Sequence, residues 1–245
     1  MKTAWYLGHR ADAVGDRALL IGDPDRVDRI AALLSDVVFL PVKRGLKTIT
    51  GRYNGETVTV AAFGMGAPIA TIVLHELADL GVGRFLRIGT AMYFPPIAPG
   101  ALLISERALA FEGTSPAYAA DPQAARADPG LIAACRAAGA ALGETVTAGL
   151  FASYDAFYRD MFGIDAAGRA RAAENRRTLE AAGVIAIDME TSALIAAADA
   201  LGVGFASLCC GTVNALTQEK LDPDRLAAGE RTLFETALEG ITRAA

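Results

Sequence analysis

Short runs of consecutive apolar residues, most of them ended by glycine, proline or a charged residue, recur along this chain. They alternate with stretches in which apolar residues fall three or four positions apart. The runs suit strands buried on both faces, the longer period suits helices packed on a sheet, and their alternation predicts an α/β fold. Residues 18–21 make the first run. Gly22-Asp23-Pro24-Asp25-Arg26 follows, with Asp23 placed to cap a helix, Pro24 to begin it, and Val27, Ile30, Ala31 and Leu34 along one face. Residues 37–42 and 46–53 read as strands, and Asn54-Gly55 predicts a tight hairpin into a return strand over 56–63. Gly64-Met65-Gly66-Ala67-Pro68 opens a helix whose apolar face includes Ile69, Ile72, Val73 and Leu77, with Gly81 as its stop. Further strands are predicted at 84–90, 101–104, 145–151, 184–187 and 203–210, and helices at 131–142, 175–182, 191–201 and 224–244. Residues 111–126 read as a long polar loop, and 162–173, rich in glycine and alanine, as a mobile segment. With no repeat and no linker, the pattern predicts a single domain over 1–245.

Composition narrows the classes. With 245 residues, 53% of them hydrophobic, the chain can bury one large core. A net charge of −5 offers no nucleic-acid surface, so any phosphate would be met by a few placed arginines. Cys135, Cys209 and Cys210 form an odd set with a vicinal pair, which is neither a disulfide framework nor a zinc spacing and points to a reducing cytosol. The first six residues have no apolar signal core, and Asp199 interrupts the longest apolar stretch, so no membrane span is expected.

Three stretches carry candidate chemistry. Asp188-Met189-Glu190 stands where a buried strand hands over to a helix, the end of an α/β sheet at which ligands bind. Two carboxylates flanking a thioether there suit a sugar, since carboxylates accept from paired hydroxyls and methionine packs on a ring face. From this stretch alone, a capping acid beside a core methionine is the better reading. Arg87 interrupts an apolar strand just before Gly89-Thr90; a charge so placed must be paired or line a site, and a guanidinium beside a hydroxyl fits an oxyanion such as phosphate. Gly22 and Arg26, at a strand end leading into a helix N-terminus, make a second possible anion site. Lys43 and Arg44 read from spacing as a solvated basic turn. Phe157 and Tyr158 can stack on a flat ring or simply pack.

Taken in order, Gly22-Asp23-Pro24-Asp25-Arg26-Val27, Gly64-Met65-Gly66-Ala67-Pro68, Phe85-Leu86-Arg87-Ile88-Gly89-Thr90, Asp155-Ala156-Phe157-Tyr158 and Asp188-Met189-Glu190 resemble the nucleoside phosphorylase family of the trimeric and hexameric kind, most closely its uridine phosphorylase branch. The resemblance runs from about Gly22 to Gln218. It implies a three-layer α/β/α sandwich with a mixed, partly barrel-like central sheet. The implied reaction is phosphorolysis of an N-glycosidic bond to a free base and (deoxy)ribose 1-phosphate, with inorganic phosphate as co-substrate and no metal or redox cofactor. By position, Gly22, Arg26, Arg87 and Thr90 would hold phosphate. Arg44 would join from a neighbouring subunit of a homo-oligomer, dimer-based or hexameric. Met189, Glu190 and Tyr6 would hold ribose, with Arg87 and Glu190 central to catalysis. Phe157, Met161, Asp188 and Asn214 would face the base.

The departures concentrate at the base. Where the uridine branch carries a Gln and an Arg to read uracil, this chain has Met161 and Gly163; a further arginine is Ala215, and the family's glycine after Thr90 is Met92. The ribose histidine appears as Tyr6, the first acid of the Glu-Met-Glu motif as Asp188, and the acid of the purine branch as Asn214. Phosphate and ribose halves look intact, while the base half matches neither branch. A purine-type phosphorylase, a nucleoside hydrolase and a non-catalytic nucleoside-binding protein are the competing readings. The retained Arg26, Arg44 and Arg87 weigh against the last two.

Overall fold

A computed structural model describes residues 2–244. Among the described residues, nine strands form one sheet in the order β2-β3-β4-β1-β5-β8-β7-β6-β9, and β9 pairs back on β5. The strands β5 (Arg84–Tyr93), β8 (Val184–Asp188), β7 (Val146–Tyr154), β6 (Leu102–Phe111) and β9 (Gly204–Asn214) therefore close into a five-stranded, barrel-like ring. β1 (Arg17–Ile21), β4 (Glu56–Ala62), β3 (Thr48–Tyr53) and β2 (Ser35–Phe39) extend it as an open wing. The sheet is mixed: β1 runs parallel to β4 and β5, while β8 is antiparallel to β5. Apolar runs become strands because ring closure and flanking helices bury both faces, and every residue of β1 is buried.

Among the described residues, six α-helices cover the sheet: α1 (Asp25–Ala31), α2 (Ala67–Asp79), α3 (Pro129–Ala141), α4 (Ala166–Ala181), α5 (Thr191–Leu201) and α6 (Pro223–Arg243). α2 packs on α5 and α3 on α6, giving the two outer layers of the sandwich. The Asn54-Gly55 hairpin lies at the expected place, with Tyr53 opposite Glu56. Asp23 accepts from the Asp25 N–H at 2.9 Å, and α1 starts at Asp25, one residue later than expected.

Two expectations are corrected. Residues 162–173 are not a mobile coil: a five-residue π turn, Tyr158–Phe162, leads into α4, whose first turn is capped by Asp165 accepting from the Gly168 N–H. The alanines that suggested a loose segment are strong helix formers once capped. Nor is 111–126 wholly loop, since β6 continues to Phe111, well beyond the predicted end at 104, and a 3-10 turn spans Ser115–Ala117. Apolar packing separates into two clusters. The larger fills the body of the sheet, and the smaller gathers Met92, Phe94, Ala152, Tyr154, Met161, Leu179, Val184, Ile187 and Ala215 at one end of the ring. Among the described residues, no helix is long and apolar enough to cross a membrane.

Candidate active site

β1, β4 and β5 run parallel, so Gly22, the Gly64–Gly66 loop and Gly89-Thr90 follow the same sheet edge. A side chain on Gly22 would meet the Gly64 carbonyl at 2.9 Å, which explains glycine where these two turns touch. The ring brings the end of β8 to the same place. Arg87, opposite Ser207 on β9, turns its guanidinium over Gly89, where any Cβ would lie 3.1 Å from Nη1.

The guanidinium is the centre of a buried ion cluster. Nη2 donates to Glu190 Oε2 at 2.5 Å, and Nη1 lies 3.1 Å from Asp188 Oδ2. Nη1 also donates to Ser207 Oγ at 3.2 Å and to Cys209 Sγ at 3.0 Å, whereas Nε is buried without a partner. Burial alone would lower the pKa of Arg87; the Asp188 and Glu190 carboxylates outweigh it and raise the pKa. Burial pushes the Cys209 thiol up, with the Arg87 charge partly offsetting it, so this cysteine is held as a neutral acceptor.

Each carboxylate is fixed in turn. Glu190 Oε1 accepts from the Gly66 N–H at 2.8 Å, tying the acid at the start of α5 to the glycine loop before α2. Asp188 accepts from Ser153 Oγ at 2.6 Å, from the Thr191 hydroxyl, and from the Glu190 and Thr191 N–H groups at 3.3 and 3.2 Å. It thus both caps α5 and pairs with Arg87, joining the two readings its sequence position allowed. Beyond it, Ser153 Oγ accepts from the Ser192 N–H, and the Ser192 hydroxyl donates to Glu112 Oε1 at 3.0 Å. Sequence reasoning missed Ser153, Ser192 and Glu112; a small hydroxyl near the end of an apolar strand was a signal for Ser153 alone.

The other expected residues fall in several places. Met189 is half-buried beside the cluster and Thr90 half-buried beyond Gly89. Arg26 pairs with Glu230 of α6 at 2.6 Å, and Arg29 joins the same carboxylate. Arg44 is exposed, in the left-handed backbone region at φ 54°, and its guanidinium lies 4.8 Å from the centre of the Tyr6 ring. Neither Tyr6 nor Arg44 bonds to the Arg87 cluster within this chain. Phe157 is half-buried, edge-on to Tyr158 and Phe162. Met161 and Ala215 are fully buried in the smaller apolar cluster. Gly163, at φ 76°, lies so close to α4 that a Cβ would come within 2.3 Å of the Arg169 nitrogen. Asn214 spends its side-chain carbonyl on the Leu216 and Thr217 N–H groups, at 2.9 and 3.1 Å, closing a turn. The described residues contain no group of three or more His, Cys, Asp or Glu arranged to hold a metal ion.

Comparison with known proteins fits this geometry. The profile of the family described as "Phosphorylase superfamily" matches residues 16–239. The chain is 33% identical over 217 residues to the uridine phosphorylase of Thermococcus kodakarensis, covering 86% of this chain and 78% of that one. It is 32% identical over 230 residues to the uridine phosphorylase of Escherichia coli, covering 92% and 91%. A guanosine phosphorylase of Halorubrum lacusprofundi is 30% identical over 214 residues, covering 86% and 84%. The crystal structure of uridine phosphorylase from Vibrio fischeri ES114, complexed with 6-hydroxy-1-naphthoic acid, superposes with a TM-score of 0.86 at 28% identity, over 99% of this chain and 98% of that one. The chain therefore belongs to the phosphorylase superfamily, as a uridine phosphorylase-like nucleoside phosphorylase of the pentosyltransferase class.

Proposed function

We propose that this protein cleaves the N-glycosidic bond of a nucleoside with inorganic phosphate, through a retained sugar–phosphate half and a base half unlike that of uridine phosphorylases. The observation that carries the reading is the Arg87–Glu190–Gly66 linkage, which draws three parts of the sheet edge into one polar centre. Phosphate meets Arg87, Arg26, Thr90 and the Gly22 turn; the unpartnered Arg87 Nε is a donor awaiting an acceptor. Glu190 accepts from the ribose hydroxyls and Met189 packs against the ring. A phosphate oxygen bonds to the anomeric carbon as the glycosidic pair leaves with the base. The protein orients the reactants, and phosphate stabilises the cationic sugar.

The working unit is a homo-oligomer, at least a dimer, in which Arg44 and Tyr6 reach a neighbour's site. Supporting this, Arg44 is held in an uncommon backbone region away from its own chain's cluster, and Trp5, Val38, Phe39 and Val42 are all exposed. The chain acts as one domain, in the cytoplasm, without a metal or redox cofactor. At the base, Phe157 stacks, and Met161, Gly163 and Ala215 supply no polar reader, so the enzyme is either poorly selective or tuned to a base with apolar substituents or a larger ring. A purine-type activity is the second reading, favoured by the guanosine phosphorylase relative. Incubating a nucleoside panel with and without phosphate tests the reaction: free base and pentose 1-phosphate should form only with phosphate, and base release without it would point to a hydrolase.

A further inference from the structure

Residues 3–10 make a small closed loop beside α2. The Ala4 N–H donates to the His9 carbonyl at 2.9 Å, the Gly8 N–H donates to the Ala4 carbonyl at 3.0 Å, and Thr3 bridges Arg10. A loop of this kind stays ordered only if something ties it down. Glu76, in the last turn of α2, does so with both oxygens: Oε1 accepts from the Tyr6 N–H at 2.6 Å and Oε2 from the Leu7 N–H at 2.8 Å. Such charge-assisted bonds are stronger than neutral ones. An acid in the last turn of a helix opposes the helix dipole, so α2 itself gains nothing from Glu76. The turn that carries Arg44 is locked to the same loop. A Cβ on Gly8, whose φ is 70°, would fall 2.2 Å from Nζ of Lys43, so the lysine lies across the glycine. Next to it, the Arg44 guanidinium stands 4.8 Å from the centre of the Tyr6 ring. The Leu46 N–H closes this turn on the Lys43 carbonyl at 2.8 Å. Tyr6 and Arg44 therefore form one unit, and Glu76 is its anchor in the body of the fold. Its own chain's polar centre is remote: α2 meets that centre at Gly66, whose N–H donates to Glu190, about 15 Å along the helix from Glu76.

We infer that Glu76 is a positioning residue for the neighbouring subunit's reaction: it fixes the Tyr6–Arg44 unit that this chain presents to its neighbour's sugar–phosphate centre. The inference rests on the shared site proposed above and deepens it. An arginine on a free loop would give up its own freedom and the loop's each time it met phosphate. With the loop anchored and Arg44 stacked on Tyr6, that ordering is complete before the substrates arrive, and the guanidinium meets phosphate in one geometry. Glu76 touches no reacting atom and acts across the interface.

The test is subunit exchange with Glu76→Ala and Glu76→Gln, assayed in phosphate on the nucleoside the unaltered protein cleaves best. Each variant alone should lower kcat/KM by about 10- to 100-fold. Glu76→Gln keeps one acceptor and the side-chain shape, so it guards against a simple folding defect, and thermal unfolding is followed for both. A Glu76 variant has a sound Arg87 centre and a loose Tyr6–Arg44 unit. Mixed and exchanged with Glu190→Ala subunits, which have the reverse, it should recover activity. Mixed with Arg44→Ala subunits, which share its defect, it should not. Recovery with neither partner, recovery with Arg44→Ala, or unchanged kcat/KM in Glu76→Ala would overturn the assignment and leave the shared site standing. If Arg44→Ala and Glu190→Ala subunits fail to complement each other after full exchange, the shared site itself fails, and this assignment with it.

Discussion

Around Arg87, the two carboxylates are paired with the guanidinium and held by backbone N–H groups or hydroxyls, whereas the side chain of Met161 is packed in an apolar cluster. The first region joins strand ends and loops far apart in sequence. The second is built largely from the π turn, α4 and the ends of β5, β7 and β9. A charge network of the first kind tolerates little change, because removing one partner leaves another charge buried and unanswered. An apolar wall tolerates substitution of similar volume. If the proposed assignment of the two halves holds, the contrast gives a physical reason for a base half that diverges beside a sugar–phosphate half that keeps its residues.

The largest expected effect comes from breaking the charged side. Arg87→Ala should remove about 2–5 kcal/mol of transition-state stabilisation and abolish the normal phosphate dependence. The same change strands Asp188 and Glu190, so urea unfolding should report a stability loss of about 3–5 kcal/mol. A variant with unaltered dependence on phosphate would contradict the role given to Arg87.

A second effect tests whether that side is completed across an interface. Arg44→Ala and Glu190→Ala subunits, each inactive alone, should recover activity when mixed and exchanged, since some hybrid sites carry both native residues. Fully exchanged hybrids without recovery, or an active monomer by light scattering, would count against sharing.

On the apolar side, Gly163→Ala should cost about 1–3 kcal/mol in thermal or urea unfolding, because the added methyl meets the Arg169 backbone in a positive-φ turn. If it were neutral, the close packing of the π turn on α4 would be wrong.

The smallest effect lies outside both regions. Burial, then the hydrogen bond from its hydroxyl to Glu239, pushes the pKa of Tyr53 up to about 12. A pKa raised on folding adds stability that is present below the unfolded value near 10 and fades as pH rises toward 12. Tyr53→Phe should therefore lower stability slightly near neutrality, where the hydroxyl's bond to Glu239 is lost, and flatten the decline over that window, as read by unfolding at several pH values.

The charged side was legible because its signals are local. Arg87 interrupts an apolar strand, and Asp188-Met189-Glu190 sits at a strand-to-helix junction; either is visible in a few residues. What they touch was less legible. Arg87 and Glu190 lie 103 positions apart and Gly66 and Glu190 124, and only ring closure brings them together. The apolar side hid its structure for another reason. Alanine and glycine over 162–173 carry little amphipathic pattern, so from sequence the capped start of α4 reads as a mobile segment and nothing marks Arg176 as buried. Asn214 looked available to a base because nothing in sequence marks the turn that engages its amide carbonyl.

The contrast between the two regions is tested most directly by relative kcat/KM values for uridine and inosine in the same phosphate buffer. A largely apolar base pocket should discriminate between these two oxo-bases by no more than about 200-fold. Preference for uridine by roughly 10⁴-fold or more would mean that a hydrogen-bonding uracil site has been rebuilt from other residues, and the account of a rebuilt, permissive base half would be wrong.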